Sequence, residues 1–255
     1  NDNHGIVRGV KTSHGRFTAR LVIGCDGASS VVAKTSGLYE KWWKQKDISK
    51  GWRRHQALCL ETQMQLDPLL IESKVGNTMT LLFEKDFPGH YWIFPKRKVL
   101  TVGLASFSHL SSADEPRDRL STLIHNHPVA SELLRGTRMG RLKGAYLPIR
   151  GPLSPSYDDG VMVAGDSAAQ VGAVWGEGIY FAVRAGIAAG EIAVRAINMS
   201  DTSIRILQKY EERWRREIGE NLETQARILR ESETTLQATI TFTEYLVRNR
   251  RRLYP

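Results

Sequence analysis

Two acidic residues stand where apolar stretches of the sequence end. Asp166 follows the run GVMVAG, and Asp26 comes two positions after LVIG. Continuous apolar runs of this kind are typical of buried strands, and a carboxylate at the end of one is costly unless it accepts hydrogen bonds. Suitable donors are the hydroxyl groups of a bound polyol or the backbone amides of the next turn. The sequence therefore leaves two roles open for these carboxylates: binding a polar ligand, or capping the next turn.

A glycine-rich segment begins a predicted helix ten residues after Asp166, at Gly176, Glu177 and Gly178. Glycine lets a backbone approach a ligand closely, and the first amides of a helix lack partners within it. Small residues recur along the helix: Ala182, Ala185, Gly186, Ala189, Gly190 and Ala193. Because a helix start also attracts negative charge, the segment predicts a cradle for a large, flat, polar cofactor. The alternative is that Asp166 caps a turn and the glycines relieve packing.

The elements that must position these residues alternate between strands and helices. Residues 6–23 read as two strands around a turn, and 55–106 is rich in strand-forming runs. The sequence predicts a helix over 117–134, interrupted near Pro128, and helices after Ala196 from apolar residues spaced by three and four. We therefore expect an α/β (α+β) fold.

Composition limits the class of protein. The chain has 255 residues, of which 41% are hydrophobic and 25% charged, as in globular domains. No apolar run reaches the roughly 18 residues of a membrane span, so we expect any membrane contact to be peripheral. Cys25 and Cys59 show no CxxC spacing and are expected to be reduced. We expect no metal site, and we expect His90, His125 and His127 to lie at the surface.

The formal net charge of +9 favours anionic partners. The segment 41–54 contains six basic residues and three tryptophans, Trp42, Trp43 and Trp52, and the chain ends in a second basic cluster at 248–252. Basic and aromatic residues combine in this way on single-stranded nucleic acid and on anionic membranes, where indole rings settle at the headgroups. No nucleic-acid-binding motif accompanies them. The other interpretation is a solvated basic face with the tryptophans folded into the core. A non-catalytic nucleic-acid-binding protein is therefore kept as the alternative of another class.

Four segments carry a resemblance to known proteins. Residues 161–193 resemble the second FAD fingerprint of flavoproteins with the para-hydroxybenzoate hydroxylase fold, and 21–37 resembles their Asp-Gly motif. Within that group, 91–106 is similar to the Tyr-x-Trp-x-Phe-Pro segment of geranylgeranyl reductases in a shortened form. The stretch 210–222 is similar to their C-terminal helix.

Two features depart from that pattern. The loop 171–175 lacks the proline that usually precedes the Gly-x-Gly of the family. No Gly-x-Gly-x-x-Gly fingerprint is present, although the family carries one roughly a hundred residues before its Asp-Gly motif. We therefore expect an N-terminal truncation that removes the ADP half of the FAD site.

The resemblance implies roles for particular residues. Asp166 would bind the ribityl chain of FAD, while Gly178 and Ile179 would present amides to the pyrimidine edge of the flavin. The helix start would then stabilise the negative charge of reduced flavin. The remaining cofactor-binding residues that the resemblance implies are Gly165, Gly176, Glu177, Asp26 and Gly27. A strand-end cap is the alternative role for Asp26.

The implied reaction is the reduction of C=C bonds in a polyprenyl lipid or diphosphate, by a hydride from flavin and a proton. Tyr91 and Cys59 are the candidates for a proton donor, and packing roles are the alternative for both. A reduced electron donor is needed, either NAD(P)H or ferredoxin. Other flavoenzymes of the same fold remain open, namely a monooxygenase, a halogenase or a quinone-linked dehydrogenase.

The predicted organisation has three parts. Residues 1–37 and 140–200 would form an incomplete FAD-binding domain, 38–139 an inserted β-rich substrate domain, and 201–255 a helical C-terminal region. The reduced cysteines favour a cytoplasmic protein, and the basic clusters together with a membrane-resident lipid substrate predict docking on an anionic membrane surface.

Overall fold

A computed structural model describes residues 5–46, 56–84, 87–107, 116–232 and 235–253. In chain order the strands are β1 (Gly9–Thr12), β2 (Gly15–Thr18), β3 (Val22–Gly24), β4 (Gln56–Gln65), β5 (Thr80–Leu82), β6 (Gly89–Pro95), β7 (Val99–Phe107), β8 (Arg138–Met139), β9 (Lys143–Pro148), β10 (Tyr157–Asp158) and β11 (Val161–Val163). The helices are α1 (Val31–Thr35), α2 (Leu38–Lys46), α3 (Pro68–Lys74), α4 (Pro116–Asn126), α5 (Pro128–Leu133), α6 (Ile179–Asn198), α7 (Ile204–Trp214), α8 (Glu220–Glu231) and α9 (Thr235–Leu253).

The chain divides into two compact units. The first takes residues 1–52, 147–231 and 241–255, and the second takes 53–146 and 232–240. The mixed α/β class expected from the sequence is confirmed. The predicted three-part organisation treated the helices after residue 200 as a separate region, whereas the structure groups 201–231 with the first unit.

The sheet of the first unit joins two distant segments of sequence. Strand β11 pairs in parallel with β3, with Val161 opposite Val22 and Val163 opposite Gly24, and it pairs antiparallel with β10. The amide of Ala164 continues the ladder by donating to the carbonyl of Gly24 at 3.0 Å. Because parallel strands end at the same edge of a sheet, the residues after β3 and β11 lie side by side.

Helices α6 and α7 pack against one side of this sheet because both are amphipathic. Their buried side chains include Phe181, Ala185, Leu207 and Trp214, which cluster with Met162 of β11. The apolar spacing predicted after residue 196 is confirmed, except that Ile204 is exposed at the start of α7. A five-residue π-helix, Arg215–Gly219, joins α7 to α8.

Helix α2 lies in a second apolar cluster of the first unit, and it corrects one expectation. Trp42 is 2% exposed and packs in this cluster with Leu38 and Val161. Its indole ring is therefore unable to settle among lipid headgroups, and that hypothesis is wrong for Trp42. The side chains of 43–46, and the whole of 47–55 with Trp52, lie outside the described residues.

The second unit is built on an antiparallel sheet of order β5-β6-β7-β4-β8, with β9 also paired to β4. Successive side chains of a strand point to opposite faces, and one face is covered by the apolar residues of α3, α4 and α5. Tyr91, Ile93 and Leu104 lie on that covered face. The break predicted at Pro128 is confirmed, since α4 ends at Asn126 and α5 begins at Pro128.

His90 lies on the opposite face of this sheet. It is 3% exposed, so the expectation that it lies at the surface is wrong. His125 is exposed, and the ring of His127 caps α5 by accepting from the amides of Val129 and Ala130 at 3.2 Å. None of the described helices is long and apolar enough to cross a bilayer.

Candidate cofactor-binding site

The turn after β11 carries Asp166 and is held by buried hydrogen bonds. Gly165 has φ of +64°, a left-handed conformation that glycine adopts without strain. Its amide donates to Oε1 of Gln170 at 2.8 Å, and Nε2 of Gln170 donates to the hydroxyl of Tyr210 at 3.2 Å. That hydroxyl in turn donates to the carbonyl of Val163 at 2.8 Å. The network ties the turn to its own strand and to α7, so the position of Asp166 is fixed.

The Asp-Gly segment after β3 meets this turn through Ser167. The amide of Gly27 donates to Oγ of Ser167 at 2.9 Å, and this hydroxyl lies 3.2 Å from Oδ1 of Asp26. The parallel pairing of β3 with β11 is the cause, because it brings both strand ends to one edge of the sheet. The structure therefore joins the two motifs that the sequence separates by 140 positions.

Asp26 caps helix α1. Its carboxylate accepts from the hydroxyl of Ser30 at 2.5 Å and from the amides of Val31 and Val32 at 2.7 and 3.1 Å. Partial burial acts to raise the pKa of Asp26, but these hydrogen bonds outweigh it and hold the pKa below its ordinary value. The local cap that the sequence left open is thus present. The cofactor role of Asp26 and Gly27 stays a prediction.

Asp166 is different, because its carboxylate accepts no hydrogen bond from any residue that the structure describes. Burial raises its pKa, since removal from water disfavours the charged form. A Cβ atom built on Gly178, the N-cap of α6, would lie 3.3 Å from Oδ1 of Asp166. The amides of Gly178 and Ile179 are at the helix start, where no preceding turn supplies acceptors. A free acceptor and free donors therefore stand together.

The segment 167–177, between Asp166 and Gly178, is closed by hydrogen bonds of its own backbone. The amide of Gly172 donates to the carbonyl of Glu177 at 2.8 Å, and the amide of Gly176 donates to the carbonyl of Gly172 at 2.8 Å. A Cβ on Gly172 would lie 2.2 Å from Oε1 of Glu177, so the loop leaves no space for any side chain there. The loop keeps this shape without the proline that the family pattern has at this place.

Glu177 points inward and is held by α8. Nε2 of Gln225 donates to Oε1 of Glu177 at 2.6 Å, while Oε2 is buried and has no hydrogen-bond partner among the described residues. Burial raises the pKa of Glu177. Gln225 also accepts from the amide of Val174 at 3.0 Å and donates to Asn221 at 2.9 Å.

Sequence reasoning missed Gln225 and Asn221. Both amides lie on the otherwise apolar face of α8, spaced by one helical turn. A polar pair at such positions is a signal of buried hydrogen bonding, and it could have indicated that α8 supports the loop. The α6 start, its loop and α8 therefore form one connected structure.

The two proton-donor candidates lie on opposite faces of the sheet in the second unit. The hydroxyl of Tyr91 donates to Oε2 of Glu84 at 3.0 Å, and Arg119 approaches the same oxygen at 3.3 Å. Burial is the main cause that raises the pKa of Tyr91. Burial also raises the pKa of the Cys59 thiol to about 12. Both groups are therefore protonated at neutral pH, and a catalytic role for either stays a prediction.

His90 shares a sheet face with Cys59, since both are opposite Ala105 on its two neighbouring strands. The imidazole lies among Phe83, Trp92 and Phe107, with ring centroids 5.8 to 6.2 Å away. Burial lowers its pKa to about 4, and Nδ1 has no hydrogen-bond partner within the part of the chain that the structure describes. A neutral histidine in an aromatic setting is thus an additional feature of this face. The alternation of β6 could have placed it beside Trp92.

No family model matches the chain, but individual proteins do. The chain is 34% identical over 201 residues to the digeranylgeranylglycerophospholipid reductase of Methanocaldococcus jannaschii, an alignment that covers 77% of this chain and 46% of that protein. The chain is a relative of the digeranylgeranylglycerophospholipid reductases. It spans about half the length of the curated geranylgeranyl reductases that it matches.

Solved structures agree with the fold of this family. A geranylgeranyl bacteriochlorophyll reductase-like protein from Thermoplasma acidophilum superposes with a TM-score of 0.70 at 21% identity, covering 93% of this chain and 58% of that one. A probable FAD-dependent monooxygenase from Pseudomonas aeruginosa gives a TM-score of 0.60 at 18% identity, with 95% and 64% covered. The flavoprotein fold predicted from the two fingerprints is therefore confirmed. At these identities the likeness establishes the fold alone.

Proposed function

We propose that the protein is an FAD-dependent reductase of C=C bonds in the geranylgeranyl chains of lipids. The observation that carries the proposal is the free carboxylate of Asp166 beside the open start of α6. The name of the relative from Methanocaldococcus jannaschii, a digeranylgeranylglycerophospholipid reductase, supports the substrate class.

The donor set fits a flavin. A ribityl chain offers hydroxyl donors to the carboxylate of Asp166, and the pyrimidine edge offers carbonyl oxygens to the amides of Gly178 and Ile179. Gly178 keeps the space beside Asp166 open, because a Cβ there would stand 3.3 Å from Oδ1. The hydrogen bond between Gln225 of α8 and Glu177 supports the start of α6.

The bound flavin supplies the hydride, and a proton completes the reduction of each C=C bond. A reduced donor, NAD(P)H or ferredoxin, must return two electrons for each bond. The N-terminus of α6 contributes a partial positive charge that stabilises negative charge near the amides of Gly178 and Ile179. This placement would favour the reduced form of a bound flavin and would therefore raise its reduction potential.

One face of the sheet in the second unit suits an apolar substrate. Trp92, Phe94 and Phe107 lie on it with the neutral His90. Gly103 lies opposite Trp92, and a Cβ on it would be 2.3 Å from the indole. Aromatic and small residues on this face offer apolar area, which is compatible with a polyprenyl chain of either a lipid or a diphosphate. Glu61 of β4 lies opposite Gly103 and is a charged residue of the same face.

A monooxygenase of the same fold is the second candidate, favoured by the likeness to the Pseudomonas aeruginosa structure. Oxygen uptake by the intact, flavin-loaded protein distinguishes the two reactions. A reductase turns over under anaerobic conditions once flavin is reduced, whereas a monooxygenase couples product formation to O₂ consumption. Product that forms only with O₂ would overturn the proposal.

We also propose that the protein works at the cytoplasmic side of an anionic membrane, where a polyprenyl lipid resides. Val247 and Arg248 are exposed on α9 and combine an apolar and a basic side chain. Each basic residue near such a surface contributes about 1 kcal/mol to the free energy of membrane binding. Co-sedimentation with phosphatidylglycerol vesicles should fall with salt and with Arg248→Gln. Equal binding to phosphatidylcholine vesicles would contradict electrostatic docking.

A further inference from the structure

A cleft of about 570 Å³ opens between the loop at 150–154 and helix α8 in the first unit. The loop lies close to the helix because Gly151 has no side chain: a Cβ there would stand 3.0 Å from the Cβ of Ala226. Its charged lining consists of Arg150, Arg215, Arg227, Arg230, Glu220 and Glu223. Positive charge therefore exceeds negative charge in this cleft.

Two of these arginines already have partners. Arg215 pairs with Glu211 at 2.9 Å and with Glu223 at 2.5 Å. Arg227 pairs with Glu231 at 3.1 Å. These contacts neutralise their charges locally.

The two other arginines make no ion pair or hydrogen bond through their side chains with residues in the described part of the chain. Nε of Arg150 is buried and meets no acceptor from the residues that the structure describes, and Arg230 is exposed at the other side of the cleft. Burial, followed by the charge of Arg230, lowers the pKa of Arg150. An unpaired buried donor and two like charges on one cleft are both unfavourable. A bound anion would relieve both.

The backbone of the cleft has a second unusual feature. The π-helix Arg215–Gly219 contributes Arg215 and Gly219 to the lining. Single π-turns are rare and occur frequently at functional sites, because the extra residue re-aims the side chains that follow. Here the π-turn directly precedes α8, which carries Arg230.

We propose that this cleft binds a phosphate group, held by the guanidinium groups of Arg150 and Arg230. A guanidinium group can donate two parallel hydrogen bonds to two oxygens of one phosphate, and such charge-assisted hydrogen bonds are stronger than those between neutral groups. The cleft is lined by residues other than those of the candidate flavin site, so the inference does not rest on the proposed reductase activity. The phosphate could come from a lipid headgroup or from a soluble phosphate ester, which share this chemistry.

Calorimetric titration of inorganic phosphate into the intact protein, saturated with FAD, tests the inference. We expect one saturable site, weakened about tenfold or more by Arg150→Gln and by Arg230→Gln, which is about 1.4 kcal/mol for each tenfold. Arg230 is exposed, so its replacement should leave folding intact even if Arg150→Gln does not fold. Arg195→Gln on α6, also exposed, is the matched control and should bind phosphate as the parent does.

A vesicle arm distinguishes the two sources. If the phosphate belongs to a lipid, Arg230→Gln should lower co-sedimentation with phosphatidylglycerol vesicles and inorganic phosphate should compete. If the phosphate belongs to a soluble ester, Arg230→Gln should leave co-sedimentation with vesicles unchanged and lower only the calorimetric affinity for inorganic phosphate. The inference fails if neither phosphate nor vesicles respond to the two substitutions, or if Arg195→Gln weakens binding equally. Loss of flavin binding alone would leave this result unaffected.

Discussion

Asp166 and Gly178 lie against each other, so that a Cβ on Gly178 would stand 3.3 Å from Oδ1 of Asp166. The contact joins the turn after β11 to the start of α6, with the segment 164–178 between the two elements. This contact brings the carboxylate of Asp166 close to the amides at the start of α6. The close approach depends on the absence of a Cβ atom at Gly178.

Gly178→Ala should weaken flavin binding by about tenfold, roughly the loss of one hydrogen bond to a charged group. The backbone at Gly178 has φ of −127°, which alanine adopts without strain, so the fold should persist. Gly186→Ala is the control, because a Cβ there meets nothing within 4 Å. It should raise the free energy of unfolding by about 0.5–1 kcal/mol and leave flavin affinity unchanged. Equal flavin affinity in the two variants would contradict the role of Gly178 in keeping the space beside Asp166 open for flavin.

Asp166→Asn should lower flavin retention because a ribityl hydroxyl loses a charged acceptor. Such a bond contributes about 1.5–3 kcal/mol, or roughly tenfold to a hundredfold in the dissociation constant. Flavin fluorescence during dialysis measures it. Glu212→Gln, which removes an exposed carboxylate paired with Lys209, should have no effect. A variant at Asp166 that holds stoichiometric FAD with parental affinity would remove this residue from the site.

Glu177→Gln should change how stability depends on pH. Burial raises the pKa of Glu177 above its ordinary 4.5 in the folded state, so folding favours the protonated form. The stability that this provides is complete below pH 4.5 and is lost as the pH rises through the folded pKa. Chemical unfolding from pH 4 upward should show a smaller loss in the variant than in the parent. Parallel curves would show that Glu177 does not titrate differently in the two states.

His90→Phe should act in the opposite direction. The pKa of His90 is lowered from 6.5 to about 4 by burial, so folding favours the neutral ring. This stability is present above pH 6.5 and is lost as the pH falls toward 4, with a slope of at most about 1.4 kcal/mol per pH unit. The phenylalanine variant should lack that slope, while His125→Asn at an exposed position should keep it. Retention of the slope in His90→Phe would contradict the assignment.

Local sequence patterns predicted the elements well where the pattern decides the structure. The apolar run before Asp166 became β11, and the glycines before Ile179 became the start of α6. The break between α4 and α5 followed from Pro128, since proline lacks the amide that a helix interior requires. Each of these outcomes depends on a few neighbouring residues.

Long-range placement was less predictable. His90 was expected at the surface, and Trp42 either at a membrane surface or in the core, and tertiary packing buries both. From the sequence, Asp26 could equally bind a ligand or cap α1, and only the folded structure shows its contacts with Ser30 and Val31. The support of Glu177 by Gln225 joins residues 48 positions apart. Periodicity within a segment does not encode such pairings.

Mass spectrometry of the lipid product tests the proposed function most directly. The intact protein, loaded with FAD and reduced with dithionite under anaerobic conditions, is incubated with an unsaturated digeranylgeranylglycerophospholipid. The proposal predicts a gain of two hydrogens for each double bond reduced, with little gain when Asp166→Asn has lost its flavin and a full gain with Glu212→Gln. An unchanged lipid mass in the presence of bound, reduced flavin would contradict it.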